Sequence, residues 1–237
     1  MSRDFTFKRF SVSQMRSAMK VGTDGVLLGA WARFTPEHRR ILDVGTGTGL
    51  IALMAAQRTE KWDAEVVAVE IDSPSAEEAR ENFASSVWAG RLSLVECAVQ
   101  EFCPEEKFDH IISNPPYFVD SLLSPDASRT AARHTTSLTF EELARSAAQL
   151  LNPKGALSLV LPYDAVADMT LAAARAGLFL VRKEDVRSKQ NAAPLRSLLE
   201  FGFEPRPTER TALTIHISGG DYSEEYRSLT KDFYLKF

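Results

Sequence analysis

At 237 residues, with 44% hydrophobic and 25% charged content, the chain has ordinary globular proportions and can bury roughly 70% of its unfolded surface as one larger domain. A net charge of −4 argues against a partner held by bulk charge alone, and the two cysteines, Cys97 and Cys103, with four scattered histidines, give neither a disulfide framework nor metal-ligand spacing. Reduced thiols, no metal, no signal peptide (Arg3, Asp4, Lys8, Arg9 and Arg16 punctuate the N-terminus), no membrane span and a cytoplasmic location are therefore expected, while nothing sets the oligomeric state.

Residues 1–40 read as an N-terminal extension packed on a core domain of residues 41–237. From Ile41 onward strand and helix alternate. Ile41–Val44 is a short apolar run ending in a glycine-rich turn, and Leu50–Arg58 carries helix formers. Val66–Glu70 is β-branched. Ser75–Val87 reads as a helix, with Pro74 near its first turn. Leu92–Val95 and Phe108–Ser113 are strands, and Phe140–Leu151 is a helix closed by Asn152, Pro153 and Gly155. Ala156–Leu161 is a strand, Ala165–Ala176 a helix, and Leu178–Val186, Leu195–Phe203 and Ala212–Ile217 are further strands. Alternation of this kind predicts an α/β fold with a mostly parallel sheet. The late strands lack intervening helices, so at least one should run antiparallel.

Two motifs carry chemistry. The first is Asp43-Val44-Gly45-Thr46-Gly47-Thr48-Gly49, a glycine turn between a strand and a helix, where open α/β sheets bind ligands. Glycines let the backbone approach a ligand, and Glu70 at the end of the next strand is placed to accept both hydroxyls of a ribose. NAD, FAD or S-adenosylmethionine would each want those features. Asp43 discriminates: an acid opening the turn repels a pyrophosphate and suits a cationic amino-acid end, so S-adenosylmethionine is expected. The candidate cofactor residues are Asp43, Gly45, Thr46, Gly47, Gly49, Glu70, Ile71 and Asn114.

The second motif is Asn114-Pro115-Pro116-Tyr117, directly after a strand. Consecutive prolines remove two N–H donors and stiffen an extended corner. That corner aims an Asn amide and a backbone carbonyl at one point, with an aromatic ring beside it. It is a device for gripping a planar NH2 group such as the exocyclic amine of adenine. Asn114, Pro115 and Tyr117 are the candidate catalytic residues.

The order DVGTGTG, VEID, ISNPPY resembles that of Rossmann-like methyltransferases acting on amino nitrogens. The segment Ala18–Trp31, Ala132-Arg133-His134 before Leu138, and Leu229–Tyr234 resemble the bacterial tRNA1(Val) (adenine(37)-N6)-methyltransferases, a likeness spanning nearly the whole chain. The resemblance implies a seven-stranded sheet, mostly parallel with an antiparallel strand near the C-terminal end and helices on both faces. It also implies a tRNA partner engaged at the anticodon stem-loop. One departure stands out: relatives place an acid after the third strand against the cofactor's adenine, where this chain has Cys97, Ala98 and Val99.

Phosphate contacts come from Arg and Lys. Lys8, Arg9, Arg16, Lys20, Arg129 and Arg133 are the candidates, the last two in an expected loop over residues 120–136. The basic stretches at the N-terminus and at Arg182, Lys183, Arg187, Lys189 and Arg196 could share one polyanion-binding face; the alternative is two solvated faces. Competing readings are an amine methyltransferase acting on a release-factor glutamine or on guanine N2 of ribosomal RNA, a non-catalytic RNA-binding protein, and a nicotinamide oxidoreductase.

Overall fold

The computed structural model describes residues 4–115 and 138–237. Pro116, Tyr117, Arg129, Arg133, His134 and the expected loop lie outside the described residues.

The chain begins with a two-stranded antiparallel ribbon, β1 (Asp4–Thr6) and β2 (Ser11–Ser13), followed by helix α1 (Thr23–Trp31). These elements were not separately anticipated. They add Phe7, Phe10, Val12, Val26, Leu27 and Leu28 to the same buried cluster that holds Leu53 and Met54, so the extension shares the core of the domain.

Strands β3 (Arg40–Val44), β4 (Glu65–Glu70), β5 (Leu92–Glu96) and β6 (Phe108–Ser113) alternate with α2 (Leu50–Arg58) and α3 (Ser73–Ala84), close to the expected spans. The α3 helix starts earlier than the apolar pattern suggests because Asp72 caps it: its Oδ2 accepts from Ser75 N at 3.0 Å. Helix α4 (Phe140–Leu150) opens on a capping box between Thr139 and Glu142. Then come β7 (Leu151–Pro162), α5 (Val166–Arg175), β8 (Phe179–Lys189), β9 (Arg196–Gly202), β10 (Glu209–His216) and α6 (Glu224–Thr230). The β7 strand begins five residues before the expected one. Its register against β6 slips between Phe108 and His110, and Gly155 permits the slip: a Cβ there would lie 3.1 Å from the Phe108 carbonyl oxygen.

The strands form one sheet in the order β10-β8-β9-β7-β6-β3-β4-β5. Only β9 runs antiparallel to its neighbours, β7 and β8. The sheet therefore has eight strands. The family likeness implies seven, whereas the residue pattern itself marks eight, and β10 is the additional one, parallel to β8 at the edge. One apolar layer holds α1, α2 and α3 residues, and the other holds α4 and α5. Being covered on both faces is what the nearly continuous apolar runs of β3, β4 and β6 require. Strand order reverses between β3 and β6, and the C-terminal ends of these strands open a crevice at that switch point.

Candidate active site

A cleft of about 850 Å³ lies at those strand ends, within the size range of small-molecule and cofactor sites. Its floor is the glycine turn. Gly45, Gly47 and Gly49 have φ of +69°, +56° and +83°, the left-handed region expected of them. A Cβ on Gly45 would meet nothing within 4 Å, so the backbone there faces open cleft.

Glu70 ends β4 at the cleft wall. Its Oε2 accepts from Gly47 N (2.8 Å), and its Oε1 accepts from Ile71 N and Asp72 N (both 2.9 Å). Three backbone donors thus orient the carboxylate: Oε1 has both acceptor sites taken, and Oε2 keeps one for a hydroxyl.

Asp43 does not itself line the cleft. It is 1% exposed and lies behind the turn rather than in the cleft lining. Its Oδ2 accepts from Thr46 Oγ1 (2.6 Å) and Ala52 N (3.0 Å), while Oδ1 has no hydrogen-bond partner among the described residues. Burial pushes its carboxyl up to about 7, against the two hydrogen bonds that favour the charge, and Glu70 adds to the rise. A buried carboxylate oxygen without a donor, directly beneath the turn, favours a cation above it.

Asn114 and Pro115 follow β6, which pairs with β3 so that Ser113 stands opposite Val44 and donates its hydroxyl to the Val44 carbonyl at 2.8 Å. This pairing sets the Asn-Pro corner beside the glycine turn, and Asn114 lines the same cleft as Gly45 and Glu70. The wall after β5 is formed by Cys97 and Val99, with Leu138 and the exposed Ile71 also lining the cleft. Burial raises the Cys97 thiol further above neutrality, with Glu101 adding to the rise, so this wall is neutral.

Comparison with known proteins decides the family. The methyltransferase small domain model matches residues 22–175. A Phocaeicola vulgatus tRNA1(Val) (adenine(37)-N6)-methyltransferase is 48% identical over 231 residues, covering 98% of this chain and 97% of that one. The Haemophilus influenzae protein of the same name is 43% identical over 239 residues, covering all of both. The chain belongs to this methyltransferase family. Among solved structures, that of a predicted O-methyltransferase from Agrobacterium tumefaciens superposes with a TM-score of 0.67 at 23% identity, covering 89% of this chain and 96% of that one, a likeness of fold.

The methyltransferase cleft has a wall that residue-by-residue reading missed. Ser17, Ala18, Met19, Lys20 and the first turn of α1 (Gly22, Thr23, Asp24, Gly25) line it. The likeness of Ala18–Trp31 to the family was the available signal, but nothing local said that the segment reaches the cofactor turn. Asp24 is tied across the fold to Arg196 of β9 (2.7 Å).

The basic residues divide. Lys20 lines the cleft, its amine donating to the Gln14 and Ser17 carbonyls. Arg16 pairs with Glu77 and Glu81 on α3. Lys8 and Arg9, expected on an RNA-facing side, lie instead toward the far end of α2. The Lys8 amine holds the Lys231 and Phe237 carbonyls (both 2.6 Å), and Arg9 pairs with Glu60 (2.7 Å) over the Trp88 ring. The second basic stretch forms no single face. Arg182 is buried against Glu200 and the Trp31 ring, and Lys183 is buried against Asp185. Among the described residues no group of three or more His, Cys, Asp or Glu is placed to hold a metal, and no helix is long and apolar enough to cross a membrane.

Proposed function

We propose that the protein uses S-adenosylmethionine to methylate N6 of an adenine in tRNA, A37 beside the anticodon of tRNA1(Val). The observation that carries this reading is the seating of Asn114-Pro115 in the same cleft as the glycine turn and Glu70. Relatives at 48% and 43% identity over their full lengths carry that activity in their names.

The residues fit the cofactor. Glu70 is held to accept a ribose hydroxyl through Oε2, Ile71, Cys97 and Val99 offer an apolar slot for the adenine, and the orphaned Asp43 oxygen favours the cationic amino-acid end over the turn at Gly45–Gly47. When bound, the cofactor supplies an electrophilic methyl group on a sulfonium.

The chain's own part is to aim a poor nucleophile. Adenine N6 is flat because its lone pair is delocalised into the ring. The Asn114 side-chain oxygen and the Pro115 carbonyl each accept one N–H of that amine, which turns the lone pair toward the cleft. Both bonds strengthen as the nitrogen becomes cationic, each by about 1.5–3 kcal/mol. No general base is needed, since the proton leaves after transfer. Tyr117 follows as the stacking ring for the target base, an interaction worth about 1–3 kcal/mol. Lys20 and Arg16 beside the cleft, with Arg129 and Arg133, are the phosphate-contacting residues of this proposal, and they make tRNA affinity fall with added salt.

The test is methylation of unmodified tRNA with labelled cofactor, read as N6-methyladenosine at position 37 by nucleoside mass spectrometry, with a release factor as the alternative acceptor. Asn114→Ala should lower kcat by about 10²–10³-fold while cofactor affinity stays within about threefold. Turnover within a few-fold of the parent, or label in the release factor instead of tRNA, would overturn the assignment.

A further inference from the structure

Helix α3 carries two buried polar side chains that the proposed chemistry does not use. Glu78 is fully buried and Asn82 is 5% exposed. One helical turn apart, they share a face. Among the described residues Glu78 forms no ion pair, and both side chains are spent mainly on the backbone of residues 13–17. The Glu78 carboxylate accepts three successive N–H groups: Met15, Arg16 (3.0 Å) and Ser17 (2.8 Å). Asn82 accepts from Ser13 N (2.8 Å) and donates to Ser13 O (2.9 Å), and it also donates to Thr48 O (2.8 Å) in the glycine turn.

The segment so gripped runs directly into the cleft wall. Ser17, Ala18, Met19 and Lys20 line the cleft, and Ser17 Oγ lies 3.6 Å from where a Gly47 Cβ would sit. Within the segment, Gln14 accepts from Val21 N (2.7 Å), and the Lys20 amine closes back on the Gln14 and Ser17 carbonyls. Met15 and Met19 are 44% and 52% exposed, so apolar burial does little to hold this stretch down. Its attachment is polar and falls on α3: Glu78 and Asn82 hold its backbone, while Arg16 pairs with the more exposed Glu77 and Glu81.

We propose that Glu78 and Asn82 are positioning residues that hold residues 13–20 as a strap across the cofactor cleft, in register with the glycine turn. The strap forms one wall of the cleft, and Asn82 fixes strap and turn to each other through Ser13 and Thr48. Ordering this wall before the ligand arrives removes an entropic cost from cofactor binding. The effect belongs to binding and not to the transfer step, because neither side chain lines the cleft. This inference rests on the cofactor assignment made above.

The experiment measures S-adenosylhomocysteine affinity by calorimetry, KM and kcat with saturating tRNA, and hydrogen exchange of residues 13–20, in the parent, Glu78→Ala, Asn82→Ala and the conservative Glu78→Gln. Glu78→Ala should weaken S-adenosylhomocysteine and raise KM for the cofactor by about tenfold or more, with kcat within about threefold, and should deprotect the Met15, Arg16 and Ser17 amides. Asn82→Ala should shift the same way. Glu78→Gln keeps one acceptor oxygen but turns an amide NH2 toward a backbone N–H, so it should fall between the parent and the alanine variant in both protection and affinity. It also decides the matter if the alanine variant fails to fold, because a conservative variant that deprotects the strap must weaken binding too. Deprotected amides with unchanged affinity, or a fall in kcat at constant KM, would overturn the proposal. A parent that binds no S-adenosylhomocysteine would instead count against the cofactor assignment.

Discussion

Gly49→Ala measures how tightly the glycine turn is built against α3. Gly49 precedes α2 at φ +83°, a conformation that costs an L-residue about 1–2 kcal/mol. An added Cβ would lie 2.5 Å from Phe83 Cε1, 3.2 Å from Cζ and 3.3 Å from Cδ1. The ring has little room to yield: Phe83 is 4% exposed within the apolar cluster, and the adjacent Asn82 is bonded to Thr48 O. Overpacking of this kind costs about 1–3 kcal/mol. Together the two effects amount to about 2–5 kcal/mol, a fall in Tm of roughly 4–20 °C for a chain of this size. Gly45→Ala is the matched control. It has φ +69° and nothing within 4 Å of the new Cβ, so it carries the backbone cost alone and should lose roughly 2–8 °C. Thermal melts of the cofactor-free protein at one pH measure both. Equal losses would refute the reasoning, because contact with Phe83 would then cost nothing.

Three further perturbations test the buried charges. The native Asp43 carboxyl, at about 7, holds its proton more strongly than in the unfolded chain, so burial of its charge costs the cofactor-free protein stability as pH rises from the ordinary carboxylate range to about 7; Asp43→Asn should melt higher than the parent at pH 8 yet bind S-adenosylhomocysteine about tenfold or more weakly, and a parent-minus-variant difference that does not change with pH contradicts this. His110 is fully buried, bonded to Ser158 Oγ (2.9 Å), and held neutral by burial, with His38, Arg58 and Arg182 adding to the effect. Its contribution is present above the ordinary histidine value of 6.5 and is lost as pH falls below it, so His110→Gln should flatten the pH 6.5–5 limb of Tm against pH, and an unchanged limb would place that acid sensitivity elsewhere. Glu200→Leu strands Arg182, whose side chain is 8% exposed, and should cost about 3–5 kcal/mol in urea unfolding, whereas Arg182→Met with Glu200→Leu should recover most of it; a double variant as unstable as the single one would show that packing and not charge dominates.

Sheet, helices and cofactor turn were legible because each is written locally. Apolar runs such as Val66–Val69 admit only a strand covered on both faces, and the three glycines of the turn all take the positive φ that justified them. What stayed hidden depends on contacts between distant residues. The β1–β2 ribbon is seated by Phe7, Phe10 and Val12 in the core, while the strap owes its placement to Glu78 and Asn82, more than sixty positions away, and nothing in Ser11–Lys20 alone names a helix as partner. Charge was the least reliable guide. Arg182 and Lys183 read as solvent-facing cations because sequence shows sign but not depth, and each is buried against a carboxylate of its own chain; Lys8 is exposed, but its amine is taken up by the Lys231 and Phe237 carbonyls. That Asp43 lies behind the turn was not legible either, because its oxygen is taken by an amide of the following helix, Ala52 N, a contact no local pattern announces.

The distribution of carboxylates around the cleft has a mechanistic consequence. Under the proposed assignment, the ribose end meets Glu70, held by three amides, and the amino-acid end sits above Asp43, whose carboxyl is pushed up to about 7. The adenine end meets Cys97 and Val99, with no formal charge. Anchoring is therefore strongest at the ribose, whose position is common to the substrate and product forms of the cofactor. It is tunable at the amino-acid end, where a bound ammonium draws the proton off Asp43, and weak in directional terms at the adenine. A slot of that kind depends on its walls being in place, because apolar contact falls away steeply with a gap of even an ångström. The uncharged adenine wall and the polar grip of α3 on residues 13–17 are in this sense one design: with little direction from the adenine end, the cleft relies on the strap that Glu78 and Asn82 hold in place.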